Sequence, residues 1–243
     1  MAGELFIGIL YYVSLWCYNR SMIKLSEVNK SYGKKPVLMD VNLEIPKGEF
    51  VMLRGRSGSG KSTLLNIIGG IEPATSGEVS IEGKNVNNLK AKERVDFYRH
   101  KVGFIFQGFY LQPQLSVMEN IGLMGTFAGM KRSEREARAR ELAKQLGIEE
   151  VLDSKPAEIS GGQAERACAA RALFMHPEII LADEPTNNLD PENAQNVIEM
   201  LKQIWQDTGA TVIVASHDPM VEKYATKVVK VSEGRVTDEA KAK

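Results

Sequence analysis

Cysteine is scarce in this chain: Cys17 and Cys168 stand far apart, which excludes a disulfide framework and fits a reducing compartment. Both read as small apolar fillers rather than ligands or nucleophiles. Net charge is missing as well. The 31 Lys and Arg equal the 31 Asp and Glu, so no overall field draws the protein to nucleic acid or to an anionic membrane, and any partner must be recognised by a local surface. No internal repeat or low-complexity tract interrupts the 243 residues, a length that buries a full core without staples. A membrane-spanning run is lacking too. Leu5 to Tyr18 is apolar and aromatic except for Ser14, too short to cross a bilayer comfortably, and it follows Glu4 rather than the positive region of a signal peptide. Residues 1–21 therefore form an extension unlike the rest. Two readings of it stand: a leader upstream of a true start at Met22, or a short interfacial anchor rich in Tyr and Trp.

What is present centres on Gly55-Arg56-Ser57-Gly58-Ser59-Gly60-Lys61-Ser62-Thr63. Val51 to Leu53 before it reads as a short buried strand, and Leu64, Leu65, Ile67 and Ile68 after it carry helical spacing. Strand, glycine turn and helix are the setting a phosphate loop requires; a glycine turn alone is the bland alternative. Gly55, Gly58 and Gly60 let backbone N–H groups wrap a polyphosphate, and the helix adds its positive dipole end. Lys61 is then placed for the β- and γ-phosphates and Ser62 for Mg²⁺.

Along the chain, the alternation from Met22 to Val28 predicts a strand, followed by a turn at Tyr32 to Lys34, a strand over 37–45 and a turn at Pro46 to Gly48. A strand over Glu78 to Ile81 closes as a hairpin at Gly83, a polar helix spans Ala91 to Arg99, and Val102 to Phe106 reads as a buried strand ending at Gln107. Val117 to Leu146 lacks any strand pattern, and Ser133 with Glu136 predicts a capping box for a helix that Gly147 ends. A helix from about Ser160 to Met175 is stopped by His176-Pro177. Ile179 to Ala182 then forms a buried strand that delivers Asp183 and Glu184, Pro191 starts a helix with Ile198, Leu201, Ile204 and Trp205 on one face, Thr211 to Ala215 is a strand, and a hairpin turns at Glu233-Gly234. Asp238 to Lys243 reads as a frayed tail.

ATP hydrolysis needs a metal, a positioned water and compensation for phosphoryl charge. A strand ending in two acids suits the first two: Asp183 for Mg²⁺, Glu184 to polarise water. Gln107 is suited to touch both metal and water, although by itself it reads as a loop residue. His217, after the strand over Val212 to Ala215, is within the order expected for a γ-phosphate contact, whereas His100 and His176 read as packed or exposed.

The order of phosphate loop, Gln107, Ile159-Ser160-Gly161-Gly162-Gln163, Leu181-Ala182-Asp183-Glu184, Asn188-Leu189-Asp190 and His217 resembles the ATP-binding cassette (ABC) ATPases over essentially all of Met22 to Val236. Ser-Gly-Gly-Gln is the stretch that separates that family from other phosphate-loop proteins. The resemblance implies an α/β fold, a P-loop NTPase (RecA-like) core with an antiparallel β subdomain and an inserted α-helical subdomain at about 108–158. The cassette then covers 22–237. By the same resemblance Tyr32 stacks on adenine, and Ser160, Gly161, Gly162 and Gln163 approach the ATP held by a second protomer. Asp190 helps couple the two sites of a head-to-tail dimer, most simply a homodimer. Finer features, Glu184-Pro185-Thr186-Asn187-Asn188-Leu189-Asp190, His217-Asp218-Pro219 and Phe104 to Pro113, resemble the lipoprotein-releasing, macrolide-exporting and cell-division cassettes. Two departures stand out. Asn187 occupies a usual Gly position, where Asn tolerates φ > 0, and Ala164 to Ala169 replaces a glutamine-rich run, placing the acid Glu165 near the signature. The implied function is the ATP-hydrolysing subunit of a transporter, at the cytoplasmic face of the inner membrane through a separate integral permease. The alternative is a non-transport regulator acting through a membrane partner. A nucleic-acid role is disfavoured by the absence of a basic surplus, a coiled-coil insertion or a second cassette.

Overall fold

The computed structural model describes residues 21–187 and 189–239. The N-terminal extension with Cys17, the single position Asn188, and residues 240–243 lie outside the described residues. The chain order begins with β1 (Ser21–Tyr32), β2 (Lys35–Pro46), β3 (Phe50–Arg54), α1 (Lys61–Ile68), β4 (Ser76–Ile81), β5 (Lys84–Asn85), α2 (Ala91–Lys101) and β6 (Val102–Ile105). Three helices follow, α3 (Val117–Ile121), α4 (Leu123–Phe127) and α5 (Arg132–Leu146), then α6 (Gly161–Leu173). The remainder is β7 (Ile179–Asp183), α7 (Pro191–Thr208), β8 (Thr211–Ser216), α8 (Pro219–Tyr224), β9 (Lys227–Ser232) and β10 (Arg235–Glu239).

Two sheets result. One is antiparallel, in the order β2-β1-β4-β5; the other has six strands, β10-β9-β3-β8-β7-β6, parallel except for the β9–β10 hairpin. The strand period of two, with both faces buried, explains why β3, β7 and β8 run unbroken in apolar residues over Phe50 to Leu53, Ile179 to Ala182 and Val212 to Ala215. Phe50, Met52, Ile180, Ala182, Val212 and Val214 enter one core with the helices. Val51, Leu53, Ile179, Leu181, Ile213 and Ala215 enter another with α1 and the antiparallel sheet. Both faces of the central sheet are thus covered, and its carboxyl edge is left to hold a ligand.

Several boundaries differ from the sequence reading. The helix α5 starts at Arg132, where Glu134 accepts from the Lys131 N–H; Ser133 and Glu136 sit inside it, and Glu136 instead pairs with Arg132 at 2.6 Å. The helix after the signature ends at Leu173 rather than Met175. The strand after α2 stops at Ile105, and as the sheet's edge it buries only Gly103 and Ile105 while Phe106 is exposed. Asp238 is no frayed end, because it pairs with Val229 in β10 and its carboxylate meets Lys227 at 2.9 Å. The short α8 went unread, although Asp218 caps it by accepting from the Met220 N–H and Pro219 opens it.

Gly103 has a packing reason. A Cβ there would lie 2.4 Å from the Ala172 carbonyl oxygen, so the edge strand approaches α6 more closely than any side chain permits.

Candidate functional site

The carboxyl edge gathers the predicted residues from four strands. The phosphate loop follows β3, Gln107 lies just past β6, Asp183 ends β7 with Glu184 next in the chain, and His217 follows β8. Gly60 caps α1 at φ 107, and a Cβ there would meet the Leu38 side chain at 2.8 Å; the turn that aims the loop's N–H groups therefore requires glycine. A cleft of about 490 Å³ is lined by Tyr32, Ser57, Gly58, Gly60, Lys61, Ser62, Thr63, Gln107, Glu184, Asn187 and His217. Gly55, Arg56 and Ser59 line the adjoining cavity, which shares Ser57, Gly58 and His217 with the cleft.

At the centre Lys61, only 5% exposed, donates to the carbonyls of Gly55 and Arg56 at 2.9 and 3.3 Å and lies 3.1 Å from Glu184 Oε1. The other carboxylate oxygen of Glu184 is 2.9 Å from His217 Nδ1. One acid thus spans the loop lysine and the histidine. The turn that presents it is strained: Glu184 takes φ 45, while its N–H donates to Ala215 O across to β8. Asn187 is not the left-handed residue of this turn; its N–H donates back to Glu184 O. Ser62 Oγ donates to Asp183 Oδ1 at 2.9 Å. Burial lifts the Asp183 carboxyl above its usual range, with Ser62 and Lys61 opposing. A half-buried acid beside a hydroxyl is a hard oxygen donor pair, which fits a magnesium ion.

Tyr32, 49% exposed, stands at the cleft edge. Its hydroxyl donates to Glu72, and Lys30 Nζ sits 5.0 Å from the ring centroid while pairing with Glu72 at 3.3 Å. These two supports were not read from the sequence, because they come from a different strand position and a distant loop.

Ser160, Gly161, Gly162, Gln163 and Asp190 are not brought to this cleft. Ser160 caps α6 in a reciprocal box with Gln163, whose amide also reaches Glu150 at 3.1 Å. Asp190 caps α7 through the Asn193 N–H. Beside the signature, burial pushes the Glu165 carboxyl up to about 7 against the pull of Arg166, which weakens the negative charge expected there. Cys168 is buried, as a filler should be, but its thiol also donates to Phe109 O at 2.9 Å. Another residue missed from sequence is the fully buried Asn120, whose side chain braces the loop before α3 by bonds to Gln112, Leu115 and Ser116. A lone Asn in an apolar helix carries no sequence signal for that.

Residues 38–187, more than half of the chain, match the profile of the family described as ABC transporter. The chain belongs to that family. This ABC cassette is 42% identical over 87% of its length to a putative hemin import ATP-binding protein, HrtA, of Staphylococcus epidermidis, covering 97% of that protein. It is 39% identical to the bacitracin export ATP-binding protein BceA of Halalkalibacterium halodurans, over 89% of this chain and 87% of the relative. It is also 42% identical over 90% of its length to the macrolide export ATP-binding/permease protein MacB of Mannheimia succiniciproducens, of which it spans only 34%. Among solved structures, the dimeric post-hydrolysis state of the ATP-binding cassette MJ0796, bound to ADP and Pi, superposes with a TM-score of 0.82 at 40% identity, covering 90% of this chain and 98% of that one. The ABC cassette is thus an ATP hydrolase of a transporter family, with the α/β fold that its motifs implied.

Proposed function

We propose that this ABC ATPase works as a magnesium-dependent, head-to-tail homodimer that drives a separate integral membrane permease, from the cytoplasmic face of the inner membrane. The observation that carries the reading is the convergence of Lys61, Ser62, Glu184 and His217 on one cleft from three adjacent parallel strands, with Asp183 bonded to Ser62. Lys61 and the loop N–H groups hold the phosphates, and Tyr32 stacks on the adenine. Ser62, Asp183 and Gln107 would hold Mg²⁺, which would supply charge neutralisation to the phosphates. Glu184 accepts the proton of the attacking water, while His217, on its second oxygen, orients it and reaches toward the γ-phosphate. The partner's nucleotide is met by Ser160 to Gln163, whose N–H groups open α6; Asp190, at the start of α7, lies in the family's coupling position.

Support for a membrane partner comes from a second surface. An apolar groove of about 510 Å³ runs between Gly69–Ile71, α2, β6 and α4, with Ile71, Val95, Phe106 and Phe127 exposed along it. Exposed apolar side chains gathered along one groove mark an interaction site, and the groove suits an amphipathic helix. No helix among the described residues is long and apolar enough to cross a membrane. Co-expression with a candidate permease tests the reading: ATP should change substrate movement or extraction in the reconstituted complex, and Phe127→Asp should uncouple it. A complex indifferent to ATP ends the transport reading.

A further inference from the structure

The segment just beyond Gln107 is held by side chains of α6. Phe109 and Tyr110 lie outside any helix or strand. Arg171 Nη1 donates to Tyr110 O at 2.7 Å, its Nη2 donates to Phe109 O at 3.1 Å, and Cys168 Sγ donates to the same Phe109 oxygen at 2.9 Å. Cys168 and Arg171 are three apart and so share a helix face. Tyr110 takes φ 42, a conformation that an aromatic residue keeps only where its surroundings over-determine it. Its ring meets Phe106 edge-on at 5.6 Å, and Phe106 stacks on Phe104 at 4.2 Å. Phe109 points the other way: a Cβ built on Gly161 would lie 3.9 Å from its ring. The helix that carries the Ser160–Gln163 turn at its start therefore carries, near its end, the fork that fixes the loop two residues after Gln107.

We propose that Arg171, seconded by Cys168, is a positioning residue for ATP hydrolysis: by holding the Phe109 and Tyr110 carbonyls it keeps Gln107 and the Ser160–Gln163 turn in one fixed relation. The Arg guanidinium sets two terminal nitrogens in one charged plane, one for each of two successive carbonyls, whereas a Lys ammonium is a point charge on a flexible stem. Burial pushes the Cys168 thiol up to about 11, so it remains a protonated donor at neutral pH. The consequence is that residues serving a protomer's own nucleotide and those serving its partner's are tied to one rigid helix.

The inference rests on the ATPase reading above, and its test separates the two. In the full-length chain, Arg171→Met should lower kcat ten- to roughly a hundredfold through misplacement of Gln107. Affinity for a fluorescent ATP analogue should stay within about twofold, because the phosphate loop and Tyr32, which carry most of the nucleotide contacts, lie away from Arg171 and keep their own supports. Arg171→Lys should recover part of kcat, and Arg171→Met placed in a Glu184→Gln background should reduce the ATP-trapped dimer. Wild-type kcat in Arg171→Met, or parallel loss of kcat and nucleotide affinity, overturns the proposal. If Arg171→Met does not fold, Arg171→Lys decides, since a kcat lowered at least about threefold with affinity kept is required of it. Absence of turnover in the wild-type chain would instead overturn the ATPase reading itself.

Discussion

Replacing Glu184 by Gln isolates the proposed proton acceptor with little change of shape. The side chain is 13% exposed and wedged between Lys61 Nζ at 3.1 Å and His217 Nδ1 at 2.9 Å. A glutamine oxygen still accepts from Lys61, and its NH₂ can donate to a neutral His217, so the local bonds survive while the basic carboxylate disappears. Lys61 retains the Gly55 and Arg56 carbonyls, and the ATP-binding loop is untouched. General base catalysis contributes about 10²–10⁴ in rate, or roughly 3–5 kcal/mol of barrier, so kcat in Glu184→Gln should fall at least tenfold while ATP affinity holds. With hydrolysis slowed, ATP and magnesium should convert chains of 26.9 kDa into dimers, visible by size exclusion with light scattering. Turnover is measured by phosphate release and binding by a fluorescent nucleotide. Because His217 acts on the same carboxylate, His217→Ala and Glu184→Gln should be strongly non-additive. Wild-type turnover in Glu184→Gln would refute the assignment; loss of ATP binding would show that the acid serves chiefly to place Lys61.

Three further outcomes follow from the same geometry. Lys61→Ala should weaken ATP binding itself by at least about tenfold, since a charge-assisted contact to phosphate is lost; an unchanged affinity in a nucleotide titration would count against the phosphate loop. Gly103→Ala forces a methyl group to 2.4 Å from the Ala172 oxygen and should cost about 1–3 kcal/mol, lowering Tm by roughly 2–10 °C in a thermal melt, whereas an unshifted melt would mean that α6 yields freely. Glu178, bonded first to Lys101 and then to Lys47, is held down at about 2. Its folded value lies below the unfolded one, so its stabilisation is complete above the ordinary carboxylate range and is lost as pH falls toward 2. Solvent screening reduces the effect to about 1 kcal/mol. The urea midpoint of Glu178→Gln should therefore lie below wild type at pH 7 and converge with it in acid; a gap independent of pH argues against the pairing.

Much of the site is legible in the sequence because its parts are local. Gly55 to Thr63 announces a loop between strand and helix by residue type alone, and Asp183 and Glu184 announce themselves as charge at the end of an apolar run. The strands β3, β7 and β8 are equally plain, since burial on both faces leaves a continuous apolar string. Helix starts are less so. The Ser133 and Glu136 pair fits a capping box as well as the observed start does, and only the turn entering at Lys131 decided between them.

What the chain order could not state is adjacency. Strand order β9-β3-β8-β7-β6 sets Glu184 between Lys61 and His217 and puts Ser62 on Asp183, 121 residues away in sequence. The same is true of Lys30 and Glu72 behind Tyr32, and of Arg171 reaching Phe109 and Tyr110 from 62 and 61 residues downstream. Local residue chemistry, read from short-range pattern, determined which groups could bind phosphate and move a proton. Which of them share a carboxylate, a carbonyl or a cleft was decided by sheet order and close packing, because hydrogen bonds act over about 3 Å in space regardless of separation along the chain.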